Sequence, residues 1–224
     1  MAGISITIDG PTASGKTTLG MALARTLRTA FLDTGLTYRA LSYALSQRPL
    51  EPNDGWRKAI EHRPFTSASP AGDAEQSERV LFYGEDITDK IFAPGLERQL
   101  GSVASNPLWR DQIRNYHREV AEAHPAVVLV GRDTGTALLP SATIHVALWA
   151  SLPVRRERRR AQYRDVVGRS TVVGPATSRD YEALDALRMM PNSVELDTTF
   201  LPANAVLSAV LRKIESLSLD KIRR

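Results

Sequence analysis

The sequence predicts an α/β fold in three layers, a mostly parallel sheet covered by helices on both faces. Three observations carry this. Short β-rich runs alternate with helical stretches along the 224 residues, the order expected of a parallel sheet with helical crossovers. The first run passes through a glycine-containing loop directly into a helix. The runs at 126–130 and 143–148 are short and apolar enough to be strands buried in a sheet.

Residues 4–8 form the first strand, with Ile4, Ile6 and Ile8, and residues 18–27 form a helix with Leu19, Leu23 and Leu27 on one face. Between them, Gly10-Pro11-Thr12-Ala13-Ser14-Gly15-Lys16-Thr17 fits G-x-x-x-x-G-K-[ST]. Gly10 and Gly15 allow backbone conformations and close approaches that a side chain blocks. Loop N–H groups and the helix N-terminus then face an anion. Lys16 adds a cation near the β and γ phosphates of a nucleotide, and Thr17 offers a hydroxyl to Mg²⁺. A glycine turn that matches by coincidence is the bland alternative; the strand before and the helix after argue against it.

Residues 30–33 read as the second strand and 36–46 as a helix with Leu41 and Leu45 at i, i+4. Residues 47–79 hold Pro49, Pro52, Pro64, Pro70 and Gly72 with weak periodicity, which predicts a loop-rich insertion. A hairpin over 79–88 turns near Gly84. Helices over 94–105 and 107–123 each carry Pro near the start. After the strands at 126–130 and 143–148, Ser151 is positioned to cap an arginine-rich helix. A last short strand at 194–196 and a helix over 202–217 with Val206, Val210 and Ile214 close the chain. In such a sheet, ligands bind at the carboxyl ends of the strands.

Composition narrows the function. There is no cysteine, which removes disulfides, thiolate metal sites and cysteine nucleophiles and suits a reducing cytosol. No apolar run approaches a membrane span, and the first strand begins without a charged leader, so a cytoplasmic location is expected. Residues 155–169 hold seven arginines against Glu157 and Asp165, a net +5 in a chain of net +4, so the remainder carries −1. Basic character confined to one segment suits a compact polyanion such as a nucleotide polyphosphate rather than a nucleic acid.

Two strand ends carry polar clusters, Asp33-Thr34-Gly35-Leu36-Thr37-Tyr38-Arg39 and Gly131-Arg132-Asp133-Thr134-Gly135. Alone, the first reads as a capped strand-to-helix turn and the second as a surface ion pair. On the arginine-rich helix, Arg155, Arg158 and Arg159 share a face, and concentrated guanidinium needs an anion partner. His62, His117, His124 and His145 show no metal-ligand spacing and are read as structural.

Together with Gly84-Glu85-Asp86-Ile87-Thr88, the helix holding Arg110, and Leu196-Asp197-Thr198-Thr199, these motifs resemble bacterial cytidylate (CMP/dCMP) kinases over most of the chain. The resemblance implies a three-layer P-loop kinase fold with a core at 1–46, 106–150 and 190–224. A monophosphate-binding insertion would span 47–105 and an arginine-rich lid 151–189. It implies ATP binding by residues 10–18, Gly10 to Thr18, with Mg²⁺ at Thr17 and Asp33. It implies catalytic roles for Lys16, Arg132, Arg158 and Arg159. The acceptor would be held by Thr34, Tyr38, Arg39, Gly101, Arg110, Arg132, Asp133, Arg179, Asp185 and Arg188. Of these, Arg39, Arg132 and Arg188 would meet its phosphate, Asp185 and Arg179 its sugar, and Arg110 and Asp133 its pyrimidine edge. Partners would be small nucleotides, with neither nucleic acid nor membrane, and a monomer is expected.

Three positions depart from the family's pattern. Gly101 stands in place of a serine that contacts the base, Val130 in place of an acid that helps order Mg²⁺, and Phe92 in place of a polar or basic residue. Val130 would leave more of the metal's task to Asp33. Gly101 keeps open an acceptor with a 5-substituted cytosine, such as 5-hydroxymethyl-CMP in a nucleoside-antibiotic type of pathway. A P-loop kinase for a small metabolite and a non-enzymatic nucleotide-responsive protein also remain open, as does, more weakly, a nucleic-acid-binding module using the arginine helix.

Overall fold

The computed structural model describes residues 3–53, 55–66, 78–164 and 173–222. Its main sheet runs β4-β2-β7-β1-β8-β9, where β1 is Ser5–Asp9, β2 Ala30–Asp33, β4 Phe65–Thr66, β7 Val127–Gly131, β8 Ile144–Trp149 and β9 Ser193–Asp197. All pairings are parallel except β2 with β4. Alternation along the strands sorts side chains between two faces. Ile6, Ile8, Val128, Val130, Ile144, Val146 and Leu148 face α1 (Lys16–Leu27) and α8 (Ala203–Ile222), meeting Leu19, Leu23, Val206 and Val210. On the other face, Leu32 and Leu129 pack on Ala121 of α5 (Pro107–Glu122), and Ala147 packs on Leu184 and Leu187 of α7 (Ser178–Arg188). Three layers and parallel strands follow the sequence expectation.

The loop-rich reading of 47–79 is corrected. This stretch contains α3 (Trp56–Ala59), β3 (Ile60–Arg63) and β4. β3 pairs with β5 (Arg79–Phe82), which turns through Tyr83-Gly84 into β6 (Glu85–Asp86), the hairpin expected over 79–88. Ile60 and His62 point inward while Glu61 and Arg63 are exposed. Alternation over four residues, with a histidine as one inward residue and Pro64 next, is too short to register as a strand in the sequence. This small sheet has its own apolar cluster, with Trp56, Val80 and Ile91 packed on α2 (Thr34–Gln47), α4 (Leu96–Ser105) and α5. α7 is a second element absent from the sequence reading. Its start is a capping box, Thr177 Oγ1 accepting from Asp180 N–H and the Asp180 carboxylate accepting from Thr177 N–H.

The expected cap of the arginine-rich helix α6 (Leu152–Gln162) is also corrected. Ser151 occupies the cap position, but its side chain accepts no helix N–H, and its own N–H donates to Thr199 Oγ1. No helix among the described residues is long and apolar enough to cross a membrane.

Candidate active site

Parallel register brings the carboxyl ends of β1, β2, β7 and β8 to one edge of the sheet, and the loop from β1 into α1 lies there. Gly15, at φ 102°, caps α1, and Ala13 holds φ 62°, a left-handed conformation that turns successive N–H groups toward one point. A Cβ on Gly10 would lie 2.2 Å from the Leu148 carbonyl oxygen, so only glycine fits. The first N–H groups of α1, from Lys16 to Thr18, have no acceptor within the helix. Ser14 Oγ is buried without a partner among the described residues. These donors converge without an acceptor, which fits a polyphosphate. Lys16 Nζ donates to the Pro11 carbonyl at 2.8 Å. Burial pulls its ammonium down to about 8, opposed by the nearby Asp33 carboxylate.

Asp33 serves two partners at once. Oδ1 accepts from Gly35 N–H at 3.0 Å, capping α2, and Oδ2 accepts from Thr17 Oγ1 at 2.8 Å. The cap reading and the metal reading of Asp33 are therefore compatible. A hydroxyl and a carboxylate beside a phosphate loop are hard oxygen donors of the kind that, with phosphate oxygens and waters, suit Mg²⁺. Val130 points the other way, into the core beneath α1, where a Cβ on Gly20 would come within 2.7 Å of it.

The second strand-end cluster is held from below by Asp9. Its carboxylate is buried and accepts from Thr134 N–H at 2.7 Å, Thr134 Oγ1 at 2.8 Å and Gly135 N–H at 2.8 Å. Burial pushes its pKa above the usual carboxylate value, against the pull of those donors. The loop so fixed presents Arg132 and Asp133. Asp133 Oδ2 accepts from Arg110 at 3.0 Å and from Arg114 at 2.6 Å. Arg132 donates to Thr12 Oγ1 at 3.0 Å and lies 3.4 Å from the Asp180 carboxylate.

A cleft of about 270 Å³ opens between the phosphate loop, Arg132, α2, α4, α6 and the start of α7. Arg39, Arg132, Arg155 and Arg159 line it against Glu97 and Asp180, so its charge favours an anion. Arg39 lies 5.0 Å above the Phe92 ring, Phe92 stands 6.5 Å from Tyr163, and Arg159 lies 5.0 Å above Tyr163 while donating to its hydroxyl at 2.7 Å. Aromatic Phe92 thus gives Arg39 a π face, and the two arginines are braced from opposite walls. Burial and the neighbouring Arg159 lower the Arg39 pKa, consistent with a cation awaiting an anion.

Several expectations are corrected here. Arg155 is 2% exposed and donates to the Ala150, Thr12 and Gly174 carbonyls, a strut between α6, the phosphate loop and the segment leading into α7. Arg158 turns from the cleft to Thr198, donating to its hydroxyl and carbonyl, and Thr198 Oγ1 lies against the Ser14 carbonyl. Of the three arginines expected on one face, Arg155 and Arg159 reach the cleft and Arg158 does not. Thr34 donates its hydroxyl to the Val130 carbonyl and is buried, and Tyr38 packs in the cluster around the small sheet. Asp185 and Arg188 pair with each other, and Arg188 with Glu195, on the exposed side of α7. Five residues before Asp185, buried Asp180 lines the cleft. Gly101 is exposed on α4 and does not line the cleft; a Cβ there would meet nothing within 4 Å, so an enlarged base pocket at Gly101 is not supported. The Arg179 side chain and residues 165–172, with Arg169, lie outside the described residues.

Asp9, Arg114 and Asp180 were missed in the sequence, and each left a signal. Asp9 is an acid ending an apolar run, Arg114 follows Arg110 by four residues, and Asp180 follows Thr177 by three. No group of three or more metal-ligating side chains occurs among the described residues.

The cytidylate kinase family profile matches residues 6–216. A cytidylate kinase from Thermotoga neapolitana is 33% identical over 220 residues, covering 95% of this chain and 97% of that protein. One from Herpetosiphon aurantiacus is 36% identical over 208 residues, covering 90% and 85%. Among solved structures, a gluconokinase from Sinorhizobium meliloti shares the fold with a TM-score of 0.50 at 16% identity, over 98% of this chain and 95% of that one. With a family match across nearly its whole length, the chain belongs to the cytidylate kinase family.

Proposed function

We propose that this nucleoside monophosphate kinase transfers the γ-phosphoryl group of ATP to CMP or dCMP. The observation that carries the reading is the Arg110–Asp133–Arg114 cluster, whose Asp133 directly follows Arg132, a residue that lines the cleft together with Arg39. Cytosine offers an amino donor where uracil offers a carbonyl. Both guanidinium groups use Asp133 Oδ2. That leaves Oδ1 to accept from the amino group, while Arg110 donates to the ring acceptors. Asp133 therefore selects cytosine over uracil. Arg39 and Arg132 take the acceptor's phosphate, and Asp180, rather than Asp185 or Arg188, stands nearest that phosphate's arginine. Residues 47–105 form the monophosphate-binding insertion and 151–189 the lid.

An acceptor phosphate oxygen attacks the γ-phosphorus in line; that O–P bond forms as the bond to the β-bridging oxygen breaks and ADP departs. The nucleophile is a phosphate already ionised above about pH 6, so no general base is required and no histidine is needed at the reacting atoms. Lys16 and Arg159 offset charge on the transferring group. Arg39 and Arg132 hold the acceptor in line. Thr17 and Asp33 would hold magnesium, which screens the charge of the β and γ phosphates.

The test is ATP consumption with Mg²⁺ against CMP, dCMP, UMP, AMP and 5-hydroxymethyl-CMP. CMP and dCMP should exceed UMP and AMP in kcat/KM by at least about tenfold, a polar group left unpaired costing that much or more. Equal use of UMP would remove the Asp133 assignment, and no turnover of any acceptor would remove the reading. A paired substitution tests the corrected geometry. Arg132→Ala should raise the acceptor KM about tenfold to a hundredfold, the usual worth of a charged hydrogen bond. Arg188→Ala, which breaks an exposed ion pair, should change it less than about twofold.

A further inference from the structure

A buried polar chain runs from the inserted sheet to the base of Asp33. Glu78, 7% exposed, accepts the Asp33 backbone N–H on Oε1 at 2.6 Å. The same oxygen lies 2.9 Å from His62 Nε2. His62 Nδ1 lies 2.8 Å from Thr37 Oγ1, and His117 Nε2 lies 2.8 Å from that same hydroxyl. His62, Thr37 and His117 are 3%, 0% and 1% exposed.

Two proton arrangements satisfy all four contacts, one with Glu78 ionised and one with it protonated, and burial with the nearby Asp33 carboxylate raises the Glu78 pKa. With Glu78 ionised the order is fixed. His62 carries its proton on Nε2 and donates to Glu78. Its Nδ1 accepts from the Thr37 hydroxyl. The Thr37 oxygen then accepts from His117 Nε2–H. Each histidine is neutral in this arrangement, in keeping with burial, which lowers both of their pKa values. A buried network of this size costs free energy unless every member is satisfied.

Its members come from separate parts of the fold. His62 sits on β3, Glu78 just before β5, Thr37 on α2 and His117 on α5. The end that leaves the insertion lands on the peptide N–H of the residue whose carboxylate meets Thr17. We propose that Glu78, oriented by His62, Thr37 and His117, is a positioning residue that fixes the Asp33 backbone and so aims its carboxylate at the magnesium position beside Thr17. The inference rests on the reading of Asp33 as metal-facing. The network makes the inserted sheet part of the metal side's support, so that the acceptor's subdomain and the ATP-bound cation share one rigid connection.

The experiment measures the magnesium chloride concentration for half-maximal rate at saturating ATP and CMP in the full chain. Loss of a partner that orients a metal ligand typically costs 10–100-fold in metal affinity or activity. Glu78→Ala is expected to raise the half-saturating magnesium by about tenfold or more, while the CMP KM moves less than about threefold. Glu78→Gln keeps a carbonyl oxygen for Asp33 N–H and is expected to restore the magnesium requirement to within about threefold of the parent. A Glu78→Ala enzyme with the parental requirement, whatever its melting temperature, overturns the proposal and leaves Glu78 a stabiliser of the fold. Should Glu78→Ala not fold, Glu78→Gln decides by NMR. The Asp33 amide proton should shift when the carboxyl group that accepts it is replaced by an amide, and an unmoved resonance overturns the proposal. Asp33→Asn separates the two claims: if it keeps the parental magnesium requirement, the metal reading of Asp33 itself fails, whatever Glu78 does to the amide.

Discussion

Lys16→Ala is expected to lower kcat by about a hundredfold to a thousandfold, the usual cost of removing one preorganised group that stabilises developing charge. The fold should survive. Lys16 Nζ makes a single hydrogen bond, to the Pro11 carbonyl, which also accepts from Ser14 N–H and so keeps a partner when the lysine is lost. Burial also penalises its ammonium, so its loss relieves the folded state of an unfavourable charge. The same burial sets a pH dependence. The free enzyme's Lys16 titrates near 8 and works as the cation, so kcat/KM for ATP should fall as pH rises through about 8. With ATP bound, phosphate charge favours the ammonium, and the limb in kcat should lie at higher pH. Lys16→Arg, which cannot deprotonate in this range, should lose the limb along with much of the rate. Steady-state rates of the three proteins between pH 6 and 10 check all of this. An alanine variant with near-parental kcat would refute the assignment of Lys16.

The phosphate loop and the sheet were legible because their physics is local. Isoleucines at alternate positions, two glycines five residues apart and a helix with leucines at i, i+4 report one strand, one turn and one helix without distant partners. The small sheet was not legible for the opposite reason. β3 is defined by its pairing with β5, sixteen or more residues away in sequence, and His62 counts as an inward residue only because Thr37 and Glu78 satisfy it. Patterning treats a histidine as polar and sees no strand.

At the site, residue types were read better than residue orientations. Arg110 and Asp133, which the resemblance assigned to the pyrimidine edge, hydrogen-bond each other, Arg110 from α5 and Asp133 from the turn after β7. Arg158 does not reach the cleft, because the Thr198 hydroxyl and carbonyl offer its guanidinium two acceptors on the other side of the phosphate loop. Asp185 and Arg188 have the implied spacing, but α7 turns that spacing outward toward Glu195. The helix phase is set by Leu184 and Leu187, which must bury against Ala147, and that places Asp180 inward. A motif fixes distance along the chain; the apolar face of the helix decides which way it points.

Asp9→Asn should lower the melting temperature by roughly 2–12 °C. Each buried donor left without an acceptor costs about 1–3 kcal/mol, and about 1 kcal/mol moves the melting point by roughly 2–4 °C in a chain of this size. The three groups facing the carboxylate are donors, Thr134 N–H, Thr134 Oγ1–H and Gly135 N–H. An amide must turn its own N–H₂ toward at least one of them, which removes an acceptor and sets two donors face to face. Function should report where the strain goes. Asp9 precedes Gly10 of the phosphate loop, yet its side chain bonds only the loop that carries Arg132 and Asp133. If that loop takes the displacement, the acceptor KM rises about tenfold more than the ATP KM, since Arg132 and Asp133 then lose their aim. If both constants rise together, the change has passed through Gly10, the next residue in the chain, and Asp9 supports both halves of the site. A melting temperature within about 2 °C of the parent would mean that the amide finds other partners, and that the charge on Asp9 is not what holds the loop.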